Sequence, residues 1–282
     1  MAICVVVASI GRVELIQTLE TMLGQIGENQ IVVSLYKPSP DLISLLNCMG
    51  IHNVSHSLPG ASNARNVGIS SSLELSKDFL GYVFPNDRTE YVAGSLDVAN
   101  DFLRNTSDTV GIGTWINELD QLMLSPKESY SRNIDFLRGA EPGLIIPTSL
   151  INRGLRFDPR FGTGSESKWQ SAESAKLLLV ARRMGGFVAP VAEFVYRNPG
   201  STKSLSLGEK FSKGYRYGSG SGRYFRIACG FSVRLTQGIL FSLAPIAWHL
   251  YGKTYWRNSG LLFTFSSTVG RFRGLFSRIT SD

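Results

Sequence analysis

The chain has 282 residues, 43% of them hydrophobic and 18% charged, which gives it the apolar content for a sizeable buried core and sets it outside the disordered and fibrous classes. Its formal charge of +7 is unevenly placed: residues 1–200 hold 17 Lys/Arg against 20 Asp/Glu, net −3, and residues 201–282 hold 12 against 2, net +10. Three widely spaced cysteines, Cys4, Cys48 and Cys229, with no CxxC pair, argue against a disulfide framework and a zinc site and fit a reducing compartment.

The apolar start lacks a basic n-region and runs into a turn at Gly11, so Ile3 to Ala8 reads as a buried strand of a chain that stays in the cytoplasm. A helix follows, with Val13, Ile16, Leu19, Leu23 and Ile26 on one face and a stop at Gly27; Ile31 to Leu35 is the next strand. Ser39-Pro40-Asp41 supplies an N-cap, a proline at the first helical position and an acid in the first turn of a helix that ends at Gly50. A strand near Val54, a helix through Ala64 to Ser72 and a strand from Leu80 to Phe84 lead into the polar turn Pro85 to Thr89. This alternation predicts an α/β fold with a mostly parallel sheet flanked by helices. Ligands of such sheets bind at the carboxyl ends of strands, where the Pro85–Thr89 turn lies.

Residues 116–165 are richer in Gly, Pro and Asn and read as loops with short strands. Ala172 to Met184 is a helix with Leu177, Leu178 and Val180 on its apolar side, closed by Gly185-Gly186. The texture changes beyond Pro199, which divides the chain into a domain over 1–200 and a basic, partly helical C-terminal region over 201–282. Gly218 to Gly222 reads GSGSG without the Lys-Ser/Thr of a phosphate loop and is expected to be a flexible turn. His52, His56 and His249 form no HExxH, and no GxSxG elbow occurs.

The longest apolar run, Gly238 to Trp248, has 11 residues and contains Pro245. It falls short of the roughly 18–20 residues that span a bilayer. From Phe225 to Leu275, Arg and Lys alternate with Phe, Trp, Tyr and Leu, as in helices that rest on an anionic membrane. A helical subdomain packed on the core fits the same pattern. Basic and aromatic residues also serve nucleic acids, but the apolar cluster Ile239 to Trp248 favours burial over base stacking, and no nucleic-acid partner is expected.

Gly60-Ala61-Ser62-Asn63-Ala64-Arg65-Asn66-Val67-Gly68 resembles the GxSxARNxG segment of family-2 glycosyltransferases, where the arginine and its helix border the donor diphosphate. A helix start with free N–H groups beside a guanidinium fork suits phosphate oxygens. About 20 residues on, Phe84-Pro85-Asn86-Asp87-Arg88-Thr89-Glu90-Tyr91 is similar to that family's metal-binding FPDDDxxY segment, with Asn86 and Arg88 in place of two acids. Phe157-Asp158-Pro159-Arg160-Phe161-Gly162, then Ala172-Glu173-Ser174, resembles its FDExxG and GED/GEE segments. Tyr196-Arg197-Asn198-Pro199 stands where relatives often carry a histidine, and the segments Tyr215–Arg223 and Gly270–Gly274 are similar to tails of bacterial members.

The resemblance covers about residues 1–200 and implies a GT-A, Rossmann-like fold and a sugar transferred from a nucleotide-diphosphate donor to a lipid-linked or polysaccharide acceptor, with inversion, at the inner membrane face. It implies Glu173 and Asp87 as catalytic residues, and Ser9, Arg12, Arg65, Asn66, Asn86, Arg88 and Arg197 around the donor. It also implies a divalent cation, Mg²⁺ or Mn²⁺, on Asp87. Ligands lost at Asn86 and Arg88, and positive charge gained at Arg88 and Arg197, favour a metal-independent course instead. Three readings stay open at this point. Glu173 is either the base or an acid favoured in a first helical turn; the chain is an enzyme or a non-catalytic scaffold of the same fold; and the +10 tail leaves nucleic-acid binding as a third function.

Overall fold

The computed structural model describes residues 2–27, 30–75, 78–199, 205–229, 235–251 and 259–277. Strand β1 (Ala2–Ser9) is an unbroken apolar run because both of its faces are covered. Ile3, Val5 and Val7 enter one core layer, and Cys4 and Val6 enter the other. β2 (Ile31–Leu35) and β3 (Val54–His56) extend the sheet in parallel on one side, and β4 (Phe79–Val83) does so on the other.

Between them run α1 (Glu14–Leu23), α2 (Pro40–Cys48) and α3 (Ala61–Glu74). The face expected of α1 is corrected: Leu15, Thr18, Leu19 and Met22 are buried, whereas Val13 precedes the helix and is 82% exposed. The helix also stops earlier, at Gly24. The α2 cap is as read, with the Ser39 hydroxyl accepting from Leu42 N–H at 3.2 Å. In α3, a Cβ on Gly68 would collide with Val6, so the glycine lets this helix lie close against β1.

β5 (Glu90–Tyr91), α4 (Ser95–Asn105), β6 (Thr109–Ile116), β7 (Leu122–Leu124), β8 (Leu144–Pro147), α5 (Thr148–Asn152), α6 (Glu173–Arg183) and β9 (Phe187–Arg197) complete the sheet. The strand order is β3-β2-β1-β4-β8-β6-β9-β5, with β7 hairpinned onto β6. β8 lies antiparallel between β4 and β6, so one of the short strands expected among the loops of 116–165 is central to the sheet and fully buried. On α6, Leu177 and Leu178 are buried as read, but Leu179 fills the core and Val180 only flanks it.

Beyond residue 205 the described residues form three helices, α7 (Leu207–Cys229), α8 (Leu235–Leu250) and α9 (Leu261–Phe276). α7 opens on a reciprocal cap, in which Ser206 N–H donates to the Glu209 carboxylate and Glu209 N–H donates to the Ser206 hydroxyl. The expectation of a flexible GSGSG turn is corrected, because Gly218 to Gly222 lies in mid-helix. Gly214, Gly218 and Gly222 recur every four residues on the face that meets α9, where Gly270 and Gly274 do the same. A Cβ at Gly218 or Gly222 would overlap the backbone of α9, and one at Gly270 or Gly274 the backbone of α7. Small residues at this spacing let two helices touch backbone to backbone. Gly218→Val is therefore expected to cost about 1–3 kcal/mol from overpacking, although valine is the better helix former, read as a lowered urea midpoint. An unchanged midpoint would contradict this packing.

α7 also docks on the rest of the chain. The Ser171 hydroxyl donates to Tyr217 O at 2.6 Å, Tyr224 Oη donates to Asn133 O at 2.6 Å, and the Arg223 guanidinium lies 5.4 Å from the Trp169 ring.

Candidate active site

The ARNxG segment holds α3 to the FDPRFG loop. Asn66 bonds the Phe157 backbone twice, its amide donating to Phe157 O at 2.8 Å and its carbonyl accepting from Phe157 N–H at 2.9 Å. The Ser62 hydroxyl donates to Phe161 O at 2.7 Å, and Ala61 N–H donates to Thr163 O at 3.0 Å. Residues 161–163 thus pack against the start of α3, where the Ala61 N–H already has a partner. Arg65 is 3% exposed, lies 5.3 Å from the Phe157 ring, and pairs with Glu173 at 3.6 Å. Its Nε and Nη1 have no hydrogen-bond partner among the described residues.

Glu173 opens α6 behind Ala172, which adopts a left-handed conformation at φ 66°. Glu173 is 5% exposed and lines a cavity of about 200 Å³ with Glu141, Thr163, Ser171 and Tyr217. Burial, then the nearby Glu141 charge, raises the Glu173 pKa to about 7; Arg65 opposes the rise. Gly162 sits at φ +103°, and a Cβ there would lie 3.0 Å from both the Glu173 carboxyl and the Ser62 hydroxyl. That glycine leaves the space in which the carboxyl is seated. Ser174, the next residue of α6, holds backbone: its hydroxyl donates to Gly139 O at 2.8 Å. Glu166 is exposed and does not line this cavity.

At the carboxyl ends of β1 and β4, the Ser9 hydroxyl donates to Asp87 at 3.2 Å, and Arg12 stands 3.7 Å from the same carboxylate. Burial raises the Asp87 pKa, against the pull of Arg12, Ser9 and Arg88. The Asn86 carbonyl accepts from Arg88 N–H and from the Thr89 hydroxyl, both at 3.0 Å, so it shapes the turn. Arg88 reaches Glu14 at 2.7 Å. Arg197 lies elsewhere in the sheet, engaged by Glu90 at 3.0 Å and Asp120 at 2.6 Å.

Sequence reasoning missed what α7 brings. Lys213 lies 5.6 Å from the Tyr217 ring, and Tyr217 Oη is 3.2 Å from the Thr163 hydroxyl at the Glu173 cavity. Burial, then the like charges of Arg88, Arg12 and Arg216, lowers the Lys213 pKa. Lys213 thus lies within electrostatic range of Arg12 and Arg88, the two cations that act on Asp87, and cations so grouped suit an anion with several charged oxygens. The signal was present: Ser206-x-x-Glu209 marks a helix start, and Lys213 and Tyr217 are four apart on one face.

For a divalent cation the protein offers Asp87, with Arg12 already beside it. Among the described residues, no group of three His, Cys, Asp or Glu side chains gathers to hold a metal ion. This donor set does not fit a protein-built metal cage, which requires several oxygen ligands.

No protein-family model and no curated protein matches the chain. Solved structures do. The chain is similar to TarS residues 1–349 of S. aureus at a TM-score of 0.53 and 14% identity, over 97% of this chain and 89% of that one. The TarS complex with UDP-GlcNAc gives 0.53 and 13%, over 97% and 90%. A mannosyltransferase of Pyrobaculum calidifontis, solved with GDP-Man and Mn²⁺, gives 0.54 and 10%, over 96% and 87%. The fold is that of GT-A glycosyltransferases. At these identities the likeness extends to the GT-A architecture, and the site stands on its own geometry.

Proposed function

We propose that this GT-A protein is a glycosyltransferase that moves a sugar from a nucleoside-diphosphate donor to a hydroxyl of a lipid-linked or polysaccharide acceptor, with inversion. One arrangement carries the reading: the buried carboxyl of Glu173, whose pKa burial raises to about 7, lines a cavity with Thr163 and Tyr217, and Lys213 of α7 lies 5.6 Å from the Tyr217 ring. Its solved neighbours include proteins bound to UDP-GlcNAc or GDP-Man, which supports a nucleotide-sugar donor.

In the proposed reaction, the acceptor oxygen bonds to the anomeric carbon as the bond from that carbon to the diphosphate oxygen breaks. Glu173 takes the acceptor proton, and the nucleoside diphosphate leaves with the bonding pair. Arg12 and Lys213, with Arg88 beside them, meet the developing negative charge; Ser9 orients Asp87, and Asp87 holds Arg12 in place. Arg65 is a positioning residue for Glu173, and Asn66 and Asn86 act on backbone. This course is metal-independent. The proposal is tested by incubating the protein with a panel of nucleotide sugars and reading nucleoside diphosphate release, which a non-catalytic scaffold of the same fold would not give.

The proposed site of action is the cytoplasmic membrane face. No helix among the described residues is long and apolar enough to cross a membrane. On α8 and α9, Leu240, Leu250, Leu261, Phe265 and Phe276 are each at least half exposed, which supports a helical surface resting in lipid. Leu240→Gln, Leu261→Gln and Phe265→Gln together are expected to stop the full-length protein floating with anionic liposomes at low salt. Flotation equal to that of the unaltered protein would contradict this contact.

A further inference from the structure

A groove of about 810 Å³ runs between the β6–β7 hairpin, the 3-10 turn Asn133–Arg138, and the helices α8 and α9. Gly139, Ala140, Ser171, Tyr217 and Ser221 line both this groove and the Glu173 cavity, so the two spaces join. Its far walls are apolar, formed by Leu122, Leu124 and Ile134 on one side and Phe241, Trp248 and Phe263 on the other. Its volume is in the range of sites that hold an apolar ligand of some length.

The charged groups on this groove are mostly positive. Lys127 and Arg132 share one acid, Asp135, at 2.6 Å and 3.3 Å. Arg271 covers the Phe241 ring at 4.3 Å and donates to Phe241 O. Arg138 is exposed, and no ion pair or hydrogen bond engages its guanidinium among the described residues. The far walls are apolar and the cations exceed the acids, so an uncharged polysaccharide would leave both the apolar surface and the excess positive charge unmatched. An amphiphile with an anionic head matches both features.

The outward faces of the same two helices point to where such a molecule is found. α9 turns Phe263, Ser267 and Arg271 toward the groove and exposes Leu261, Phe265 and Val269, each four residues from the next. α8 likewise lines the groove with Phe241, Ala244 and Trp248 while exposing Leu240, Leu243 and Leu250. The helices that wall the groove are thus those with apolar side chains exposed to the surroundings.

We propose that this groove is the acceptor site, and that the acceptor is a lipid-linked phosphate whose apolar chain lies between β7 and the α8–α9 pair with its anionic head at Arg138. This rests on the transferase reading and selects the lipid-linked acceptor over the polysaccharide. The bonds made and broken are those of the transfer above, with the acceptor hydroxyl carried on a sugar or polyol that is joined to the lipid through the phosphate and faces Glu173.

The probe is farnesyl monophosphate, used below the concentration at which it forms micelles, with binding to the full-length protein followed by calorimetry. Binding is expected. Ala244→Trp, which fills the groove, and Arg138→Glu, which reverses the charge at an exposed position, are each expected to weaken it by about tenfold or more. Farnesol, without the phosphate, is expected to bind about tenfold more weakly. Nucleoside diphosphate affinity should be unchanged in both variants, and circular dichroism checks that each is folded. Equal affinity of the unaltered protein and both variants, displacement by a soluble neutral oligosaccharide, or no binding of farnesyl monophosphate would overturn the proposal. Failure of nucleotide binding alone would overturn the donor reading and leave the groove assignment standing, so the two failures are distinguishable.

Discussion

Replacing Glu173 with Gln is expected to lower turnover by about 10²-fold or more while leaving donor affinity nearly intact, because the amide keeps the shape of the side chain and loses the ability to take a proton. The pH dependence supplies an independent readout. With a pKa near 7, Glu173 is protonated, and idle as a base, below that pH. Activity is therefore expected to fall about tenfold per pH unit below about 7 and to level off above it. The residual activity of Glu173→Gln should lack this acid limb. Unaltered turnover would remove Glu173 from the reaction and direct attention to Glu141, which shares the cavity. Arg65→Lys is informative beside it. The shorter pairing cation, without a planar fork, is expected to shift the acid limb rather than abolish turnover, as a positioning role requires.

Lys213→Gln is expected to weaken nucleoside diphosphate binding by about 10- to 100-fold, the range for losing a charge-assisted hydrogen bond. Lys213 belongs to a helix beyond the segment that carried the family resemblance, so this result would show that the donor site is completed by the C-terminal region. Adding Arg12→Gln is expected to weaken binding further, by less than the product of the two single effects, because both cations act on one anion. Calorimetry of the single and double variants checks this. Affinity unchanged in Lys213→Gln would contradict a role for α7 in the donor site.

Much of the first 115 residues was legible because period and capping agree there. β1 and β2 are unbroken apolar runs, and Ser39-Pro40-Asp41 fixes the start of α2 through local chemistry alone. β8 was not, because its four buried residues, Leu144–Pro147, are too short to show a period, and their pairing with β4 and β6 is set by tertiary contacts. The GSGSG segment misled because glycine weakens a helix locally. The compensating contact with Gly270 and Gly274 lies about 50 residues away and shows only in the shared spacing of four. On α1, Val13 has the right period and the wrong place, one residue before the helix begins.

At the candidate site the structure gives several residues of the motif segments duties within the fold. Asn66 and Asn86 hold backbone, while Arg88 and Arg197 are engaged by acids distant in sequence, Glu14 for the first and Glu90 and Asp120 for the second. No single-sequence pattern reports such partners. The pairing of Arg65 with Glu173 across 108 positions is of the same kind, and it ties two separate motifs into one cavity.

The central claim, a nucleotide-sugar site completed by cations of the protein, is tested most directly by titrating nucleoside diphosphates into the full-length protein by calorimetry, first in EDTA and then with added Mn²⁺. The account predicts binding in EDTA that Mn²⁺ changes by less than about threefold, since in the proposed reaction Arg12 and Lys213, rather than a metal ion, meet the diphosphate. Binding that requires Mn²⁺, or no binding of any nucleotide under either condition, would contradict it.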